Sequence, residues 1–129
     1  QNMKKYSQNL LVDVQARGNS IPTSVYDLGK ETYTGTFNFK NYTYTNYCFL
    51  NPYGYLNVEV SATTGNKKDT SYTVALYKKK KNTFVDGIDV NYGEKVHIVF
   101  PSIDAKEKYY IKLTKGDTGT YAKGTIFLS

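Results

Sequence analysis

From residue 31 onward, apolar and polar residues alternate in short segments, and this two-residue rhythm constrains the fold more than any other feature of the chain. In the clearest segment, Leu56, Val58 and Val60 alternate with Asn57 and Glu59. Successive side chains of a β-strand point to opposite faces, so such a segment buries one face and exposes the other. The pattern predicts a half-buried antiparallel strand.

The same alternation recurs along most of the chain. It predicts further strands over residues 33–39, 72–77, 95–100, 109–114 and 121–128. A strand is also predicted over residues 42–50, with a β-bulge near Asn46, because the aromatic residues change parity there. Since turn residues separate these segments at regular intervals, we predict an all-β fold: an antiparallel β-sandwich, jelly-roll-like or immunoglobulin-like, with about eight strands and little or no helix.

Two turns in this pattern have strong sequence signals. Residues 51–54 place Asn, Pro and Gly at the first, second and fourth positions of a tight turn, which predicts a hairpin between the flanking strands. Asp86 and Gly87 are typical of a two-residue hairpin turn, in which both residues need a positive φ. A second hairpin is therefore predicted between residues 83–85 and 88–90.

The first 30 residues are less regular. Met3, Tyr6, Leu10 and Val14 recur at helical spacing, although residues 10–14 would also suit an edge strand. Residues 24–28 are predicted to form a short strand. A length of 129 residues suits one domain. We expect residues 1–30 to pack on, or lead into, a sandwich domain formed by residues 31–129.

Composition and charge bear on location and partners. The chain has no apolar run long enough to span a bilayer, and its lone Cys48 excludes an internal disulfide framework. Its many Tyr, Thr and Asn residues suit a secreted or cell-surface bacterial protein. The net charge is +6, with four consecutive lysines from Lys78 to Lys81. Such a run either attracts an anionic partner or merely solvates a turn, and it is a weak basis for nucleic-acid binding, which we do not predict.

The residues needed for catalysis or for metal binding are few. His97, the only histidine, alternates with apolar residues in a strand and should face solvent, and Cys48 should be a buried, inert thiol. Together they cannot supply a nucleophile with its base, or a zinc site. We therefore predict no enzyme activity, cofactor or metal. Calcium is left open at four residues near the second predicted hairpin: Asp86, Asp89, Asn91 and Glu94.

Aromatic residues at outward strand positions are the strongest functional signal. Tyrosine combines a flat apolar ring with a polar tip, which suits sugar stacking and protein interfaces, although such rings can also pack under loops. The candidate ligand-binding residues are Tyr55, Tyr77, Tyr110, Tyr121 and Phe127, with Lys78 and Lys80 as secondary contacts. We predict a non-catalytic binding or adhesion module that recognises an extracellular glycan or protein through a sheet face. The alternative is a small structural or inhibitory protein that contacts a partner through its loops.

Residues 31–129 also resemble a known family in the order of their strand segments. The segments are Tyr-Leu-Asn-Val-Glu-Val at 55–60, Val-Ala-Leu-Tyr at 74–77, Lys-Tyr-Tyr-Ile-Lys-Leu at 108–113 and Gly-Thr-Tyr at 119–121. This order resembles the bacterial pre-peptidase C-terminal domain and its collagen-binding relatives, which are β-sandwich modules appended to exported enzymes. The family usually has a glycine turn where this chain has Glu107 and Lys108. Residues 1–30 lack the acidic cluster of the collagen-binding members, so neither collagen nor calcium is carried over.

Overall fold

The computed structural model describes residues 20–116 and 118–129, which form an all-β structure. Ten strands and a single-turn 3-10 helix, Lys80–Asn82, are found in these residues, and none of their helical segments is long and apolar enough to cross a membrane. The strands are β1 (Val25–Asp27), β2 (Tyr33–Phe39), β3 (Tyr42–Tyr44), β4 (Cys48–Leu50), β5 (Leu56–Thr64), β6 (Ser71–Lys78), β7 (Thr83–Asn91), β8 (Val96–Phe100), β9 (Tyr109–Thr114) and β10 (Ala122–Leu128).

The strands form two sheets. One has six strands, with β1, β4, β9, β6 and β7 paired in that order and β3 paired with β9. The other has four, in the order β2, β10, β5 and β8. All pairs are antiparallel except the parallel pair of β1 and β4. The predicted antiparallel β-sandwich is therefore confirmed.

The core lies between the sheets and uses the residues that the alternation assigned to it. Val58 and Val60 of the four-stranded sheet are at most 1% exposed, as are Val74, Leu76 and Ile111 of the six-stranded sheet. These side chains belong to one continuous apolar cluster. Because inward and outward residues alternate along each strand, the same segments also supply the outer faces, where ligands can bind.

The predicted strand over residues 42–50 is instead two short strands, β3 and β4, that both pair with β9. Tyr44 lies opposite Lys112 and Phe49 lies opposite Tyr109, so the four residues between Tyr44 and Phe49 face only two residues of β9. The interruption therefore inserts two residues rather than the single bulge residue expected. Two residues leave the parity unchanged, and the even-numbered Tyr44 faces outward while the odd-numbered Phe49 faces the core.

The turn at residues 51–54 forms, but the hairpin does not. Asn51 Oδ1 accepts a hydrogen bond of 2.8 Å from the Tyr53 amide, and Gly54 has a φ of 81°. The turn carries the chain from β4 in one sheet to β5 in the other. Because β1 and β9 already pair with both edges of β4, no free edge remains for β5.

The second predicted hairpin is also wrong, because Asp86 and Gly87 lie in the middle of β7. The ladder between β6 and β7 continues through both residues, and this pairing outweighs their local turn preference. The turn between β6 and β7 is at Lys80–Asn82, where Lys81 and Asn82 have φ values of 58° and 49°. The lysine run therefore leads from the end of β6 into this turn.

Part of the N-terminal segment belongs to the sandwich. The predicted strand over residues 24–28 corresponds to β1, which pairs with β4, and Leu28 is fully buried in the core. The helical and strand alternatives for Met3, Tyr6, Leu10 and Val14 concern residues outside those that the structure describes.

Candidate functional site

A row of five aromatic rings crosses the outer face of the six-stranded sheet, and we call it the aromatic strip. Its members are Tyr42, Tyr44, Tyr110, Tyr77 and Phe84, in that order across β3, β9, β6 and β7. Successive ring centroids are 5.7, 5.8, 5.3 and 5.6 Å apart. Each ring therefore contacts the next, and the strip is one continuous surface rather than a set of separate side chains.

Strand register explains why these rings meet. Tyr77 of β6 lies directly opposite Tyr110 of β9, and their rings stack with an angle of 7° between the ring planes. Tyr44 of β3 lies opposite Lys112, two residues beyond Tyr110 on the same face of β9. Because residues on one face of paired strands are close neighbours, antiparallel pairing assembles the strip from residues far apart in sequence.

A β-bulge supplies the last ring of the strip. Leu76 pairs with Asp86, yet the next residue of β6, Tyr77, pairs with Phe84, so Val85 is the extra residue of β7. Without this bulge Val85 would lie opposite Tyr77. The bulge therefore turns Phe84 onto the outer face beside Tyr77, a re-aiming of side chains that bulges commonly produce.

The five rings differ in exposure, and this difference separates contact residues from supporting ones. Phe84 is 57% exposed and Tyr42 is 39% exposed, while Tyr44 and Tyr77 are half-buried. Tyr110 is only 1% exposed. It lies on the outer face as expected from the alternation, but the rings of Tyr77 and Tyr44 pack against it, so it supports the strip and presents almost no surface to a ligand.

The turn between β6 and β7 holds Tyr110 in place. The Tyr110 hydroxyl donates a hydrogen bond of 3.2 Å to Asn82 Oδ1, and Asn82 is one of two non-glycine residues with a positive φ in the part of the chain that the structure describes. Thr83 Oγ1 donates a bond of 3.0 Å to the Lys80 carbonyl, which further ties the turn together. The backbone of the predicted contact residue Lys80 is therefore held at the end of the strip, and its side chain is exposed.

A cation lies over the other end of the strip. Lys112 Nζ is 5.3 Å from the ring centroid of Tyr42 and 5.5 Å from that of Tyr44. Both distances suit a cation–π interaction, in which the electron-rich ring faces attract the ammonium group. Lys112 and the turn lysines thus place positive charge at both ends of the strip.

The other predicted aromatic contacts lie elsewhere. Phe127 is on the outer face of the four-stranded sheet, while Tyr121 and Tyr55 immediately precede β10 and β5 of that sheet. Tyr121 is 49% exposed and Tyr55 is 45% exposed. The five predicted rings are therefore divided between two sheets and cannot form one binding face. Of the predicted lysines, Lys78 is the half-buried last residue of β6.

An open groove of about 460 Å³ lies on the outer face of the four-stranded sheet. Phe127 lines it together with threonine and serine side chains, and Lys95 Nζ is 3.5 Å from Glu59 Oε1 at its border. It contains one aromatic ring, against five in the aromatic strip. We therefore take the strip as the candidate site.

The candidate catalytic and metal-binding residues are dispersed. His97 is exposed, with Nε2 3.1 Å from Asn57 Oδ1, and Cys48 is buried in the other sheet. Burial raises the pKa of the Cys48 thiol, although Lys79 and Lys108 oppose the shift. Among residues 20–116 and 118–129, no group of three or more His, Cys, Asp and Glu side chains could hold a metal ion. Of the four residues for which calcium binding was left open, Asp86 accepts a hydrogen bond from the Gly87 amide and Asp89 accepts one from the Thr73 hydroxyl.

The burial of Tyr110 has a consequence for stability at high pH. Burial, followed by the negative charges that Tyr44 and Tyr77 acquire at high pH, raises the pKa of Tyr110 from 10.0 to about 12. Below pH 10 the phenol is protonated in both the folded and unfolded chains. Between pH 10 and 12 the unfolded chain releases this proton more readily, so stability should fall by up to about 1.4 kcal/mol per pH unit from this group.

Urea unfolding of the wild-type protein and of Tyr110→Phe between pH 9 and 12 checks this expectation. The variant loses the bond to Asn82, which lowers its stability at every pH, but its stability should fall less steeply with pH. Equal slopes for the two proteins would contradict the assigned burial of the hydroxyl.

Sequence reasoning missed Tyr42, Tyr44, Phe84 and Lys112 as site residues. Tyr42 and Tyr44 were assigned to a strand without an assigned face, and Phe84 was assigned to a hairpin that does not exist. The alternation around Lys112 did mark it as outward-facing. Only the pairing of β3 with β9, and the bulge at Val85, reveal that these residues join one surface.

Comparison with known proteins gives no family for the chain: no protein-family model matches it, and no curated protein matches it significantly. The resemblance to the pre-peptidase C-terminal domain stays a prediction from the order of strand segments. What the protein binds must therefore be inferred from its own residues.

Proposed function

We propose that this protein is a non-catalytic, secreted or cell-surface module that binds a glycan on the aromatic strip. The observation that carries the proposal is the unbroken row of ring contacts across four strands, ending in the well-exposed Phe84. An aromatic row on an outer sheet face adds nothing to the core between the sheets. Exposed aromatic surface of this kind commonly marks a binding site.

The polar residues beside the rings favour a glycan. Thr73 and Thr114 are paired neighbours on the same face of β6 and β9, and Asp89 lies next to them on β7. The Thr73 hydroxyl donates a 2.7 Å hydrogen bond to Asp89. Sugars present both apolar ring faces and hydroxyl groups, so a surface that combines aromatic rings with hydroxyl and carboxylate groups matches both.

Strand addition along β7 is a less favourable mode of binding. β7 is an edge strand and carries the exposed apolar residues Val85 and Ile88. However, the bulge at Val85 interrupts the regular spacing of its outer edge, and Asp86 and Asp89 place charges along it. Bulges and charges are devices that keep edge strands from pairing with other chains.

The direct test replaces the exposed ring. Phe84→Ala should weaken glycan binding about 5- to 30-fold, since the stacking contribution of one ring is worth about 1–2 kcal/mol. Phe84 is more than half exposed, so the variant should remain folded. Binding is measured by affinity electrophoresis against a panel of neutral and acidic polysaccharides, followed by calorimetry on those that are retained.

Tyr121→Ala is the matched control, because it removes an exposed aromatic ring outside the strip. It should leave binding unchanged. Loss of binding in Tyr121→Ala, with none in Phe84→Ala, would move the site to the other sheet. Loss only on substitution of residues 51–54 would favour the alternative in which loops contact a partner protein.

A further inference from the structure

We infer that the glycan bound on the aromatic strip is an acidic polysaccharide, whose carboxylate or sulfate groups contact Lys112 and the turn lysines Lys80 and Lys81. The inference rests on the proposed function and specifies the class of its ligand. It is carried by the position of these cations around the rings, by their lack of acidic partners and by the geometry of the turn.

Lys112 has no ion-pair partner within the described residues. Only two ion pairs are found there, Lys95 with Glu59 and Lys115 with Asp69. The Lys112 ammonium instead lies over the rings of Tyr42 and Tyr44. A ring face attracts a cation without neutralising it, so this charge remains available to an anionic group bound on the strip.

The turn lysines are also without acidic partners among residues 20–116 and 118–129, and Lys80 and Lys81 are exposed. The turn begins after Lys78, which pairs with Thr83 one position beyond the pair of Tyr77 and Phe84. It therefore follows directly on the strip. The Asn82 side chain, bonded to the Tyr110 hydroxyl, connects it to the strip's central ring.

The backbone of this turn is unusual. Lys81 and Asn82 both have positive φ, at 58° and 49°, which is a backbone conformation that glycine adopts with less strain. Strained residues of this kind cluster at sites where their side chains have a role. Asn82 has such a role in holding Tyr110, and we assign the charge contact to Lys81 and its neighbour Lys80.

The acidic residues of β7 do not cancel this charge. Asp86 lies opposite the core residue Leu76, on the face of β7 away from the strip, and bonds to the Gly87 amide. Asp89 is on the face of the strip, but it bonds to Thr73 of β6. Thr73 lies four residues before Tyr77, so Asp89 is further from the turn than Tyr77 is. Lysines therefore lie on two sides of the rings, and the carboxylate of Asp89 lies on a third.

Four strands at about 4.8 Å spacing make the strip about 15 Å long, which suits several linked sugars rather than one. Lysines at both ends would contact anionic groups repeated along such a chain. Contacts between exposed charges are screened strongly at physiological ionic strength, where the Debye length is about 8 Å. Binding should therefore depend on salt concentration.

The experiment compares polygalacturonate, dextran sulfate and neutral dextran, using calorimetry on the full chain at 50 and 300 mM salt. The wild-type protein should bind at least one acidic polymer and should lose about tenfold in affinity at the higher salt. The neutral polymer should bind at least tenfold more weakly. The two acidic polymers distinguish a carboxylate ligand from a sulfate ligand.

The variant K80Q/K81Q should weaken binding of the acidic polymer about five- to tenfold. The matched control is K67Q/K68Q, which removes the same charge from two exposed lysines before the opposite end of β6. It should change the affinity less than twofold. Equal losses in the two double variants would show diffuse charge attraction and would overturn the inference.

Failure of the inference can be separated from failure of the proposed function. If neutral dextran binds as well as the acidic polymers and Phe84→Ala abolishes that binding, the strip binds glycans but not acidic ones. If acidic polymers bind equally well to the wild type and to Phe84→Ala, the strip is not the site and both proposals fall. Absence of binding to every polysaccharide likewise overturns both.

Discussion

Replacing Gly124 with alanine should destabilise the domain by about 3 kcal/mol, a large cost for one methyl group. A Cβ atom at this position would lie 1.9 Å from the Ser61 carbonyl oxygen, 2.8 Å from Ala62 Cα and 2.8 Å from the Phe37 ring. Real atoms do not approach so closely, and two of these three neighbours are backbone atoms that cannot rotate away. The strands would have to separate.

Gly124 is placed where separation is especially costly. It lies in β10 between Phe37 of β2 and Ala62 of β5, in the middle of the four-stranded sheet. Glycine inside a strand commonly marks such a close approach of neighbouring chains. Urea denaturation measures the effect, and Gly65→Ala is the control, because a Cβ atom there meets nothing within 4 Å. Similar losses in both variants would contradict this account.

Replacing Lys115 with methionine should cost about 3 kcal/mol, because it removes the cation around which a loop is organised. The side chain of Lys115 is 2% exposed. Its Nζ lies 2.9–3.2 Å from the carbonyls of Lys40, Gly116 and Thr120 and from the hydroxyl of Thr118, so its three N–H groups are shared among these four acceptors. Without the ammonium group these partly buried oxygens would lose their donor.

Asp69 completes this arrangement. Its Oδ2 lies 3.5 Å from Lys115 Nζ and accepts hydrogen bonds from Thr118, Thr120 and Thr64. The Thr118 hydroxyl and the Lys115 ammonium lower the pKa of the Asp69 carboxyl, with burial opposing them. Thermal unfolding compares Lys115→Met with Lys123→Met, which makes the same change at an exposed position of β10. Equal melting temperatures would show that the loop does not depend on the cation.

The alternation of residues predicted the strands and their inner faces because both depend on local periodicity. Val58, Val74 and Ile111 are buried for the reason that the sequence indicates: each occupies an inward position in a segment of period two. The partners of each strand were not predictable in this way. The pairing of β10 with both β2 and β5 joins residues far apart in the chain, and no local pattern encodes it.

The sequence indicated that a sheet face would carry aromatic rings, but it did not indicate which rings would lie together. Tyr77 was correctly placed on an outer face, yet the ring beside it, Phe84, depends on a bulge that the sequence does not mark. Tyr110 was also placed on an outer face, but its burial was not predicted. It is buried by the rings of Tyr77 and Tyr44, which lie on other strands. Local preference even misled the prediction at Asp86 and Gly87, where pairing with β6 prevails.

The extra residue in β7 makes recognition sensitive to strand length. If the ladder held no unpaired residue at this point, Val85 would lie opposite Tyr77 and Phe84 opposite Lys78, on the other face of the sheet, so the strip would end in an aliphatic side chain. The inward residues of β6 would be untouched, so the sandwich would still fold. The aromatic character of this end of the strip is thus set by a single unpaired residue in an edge strand, and not by the packing of the core.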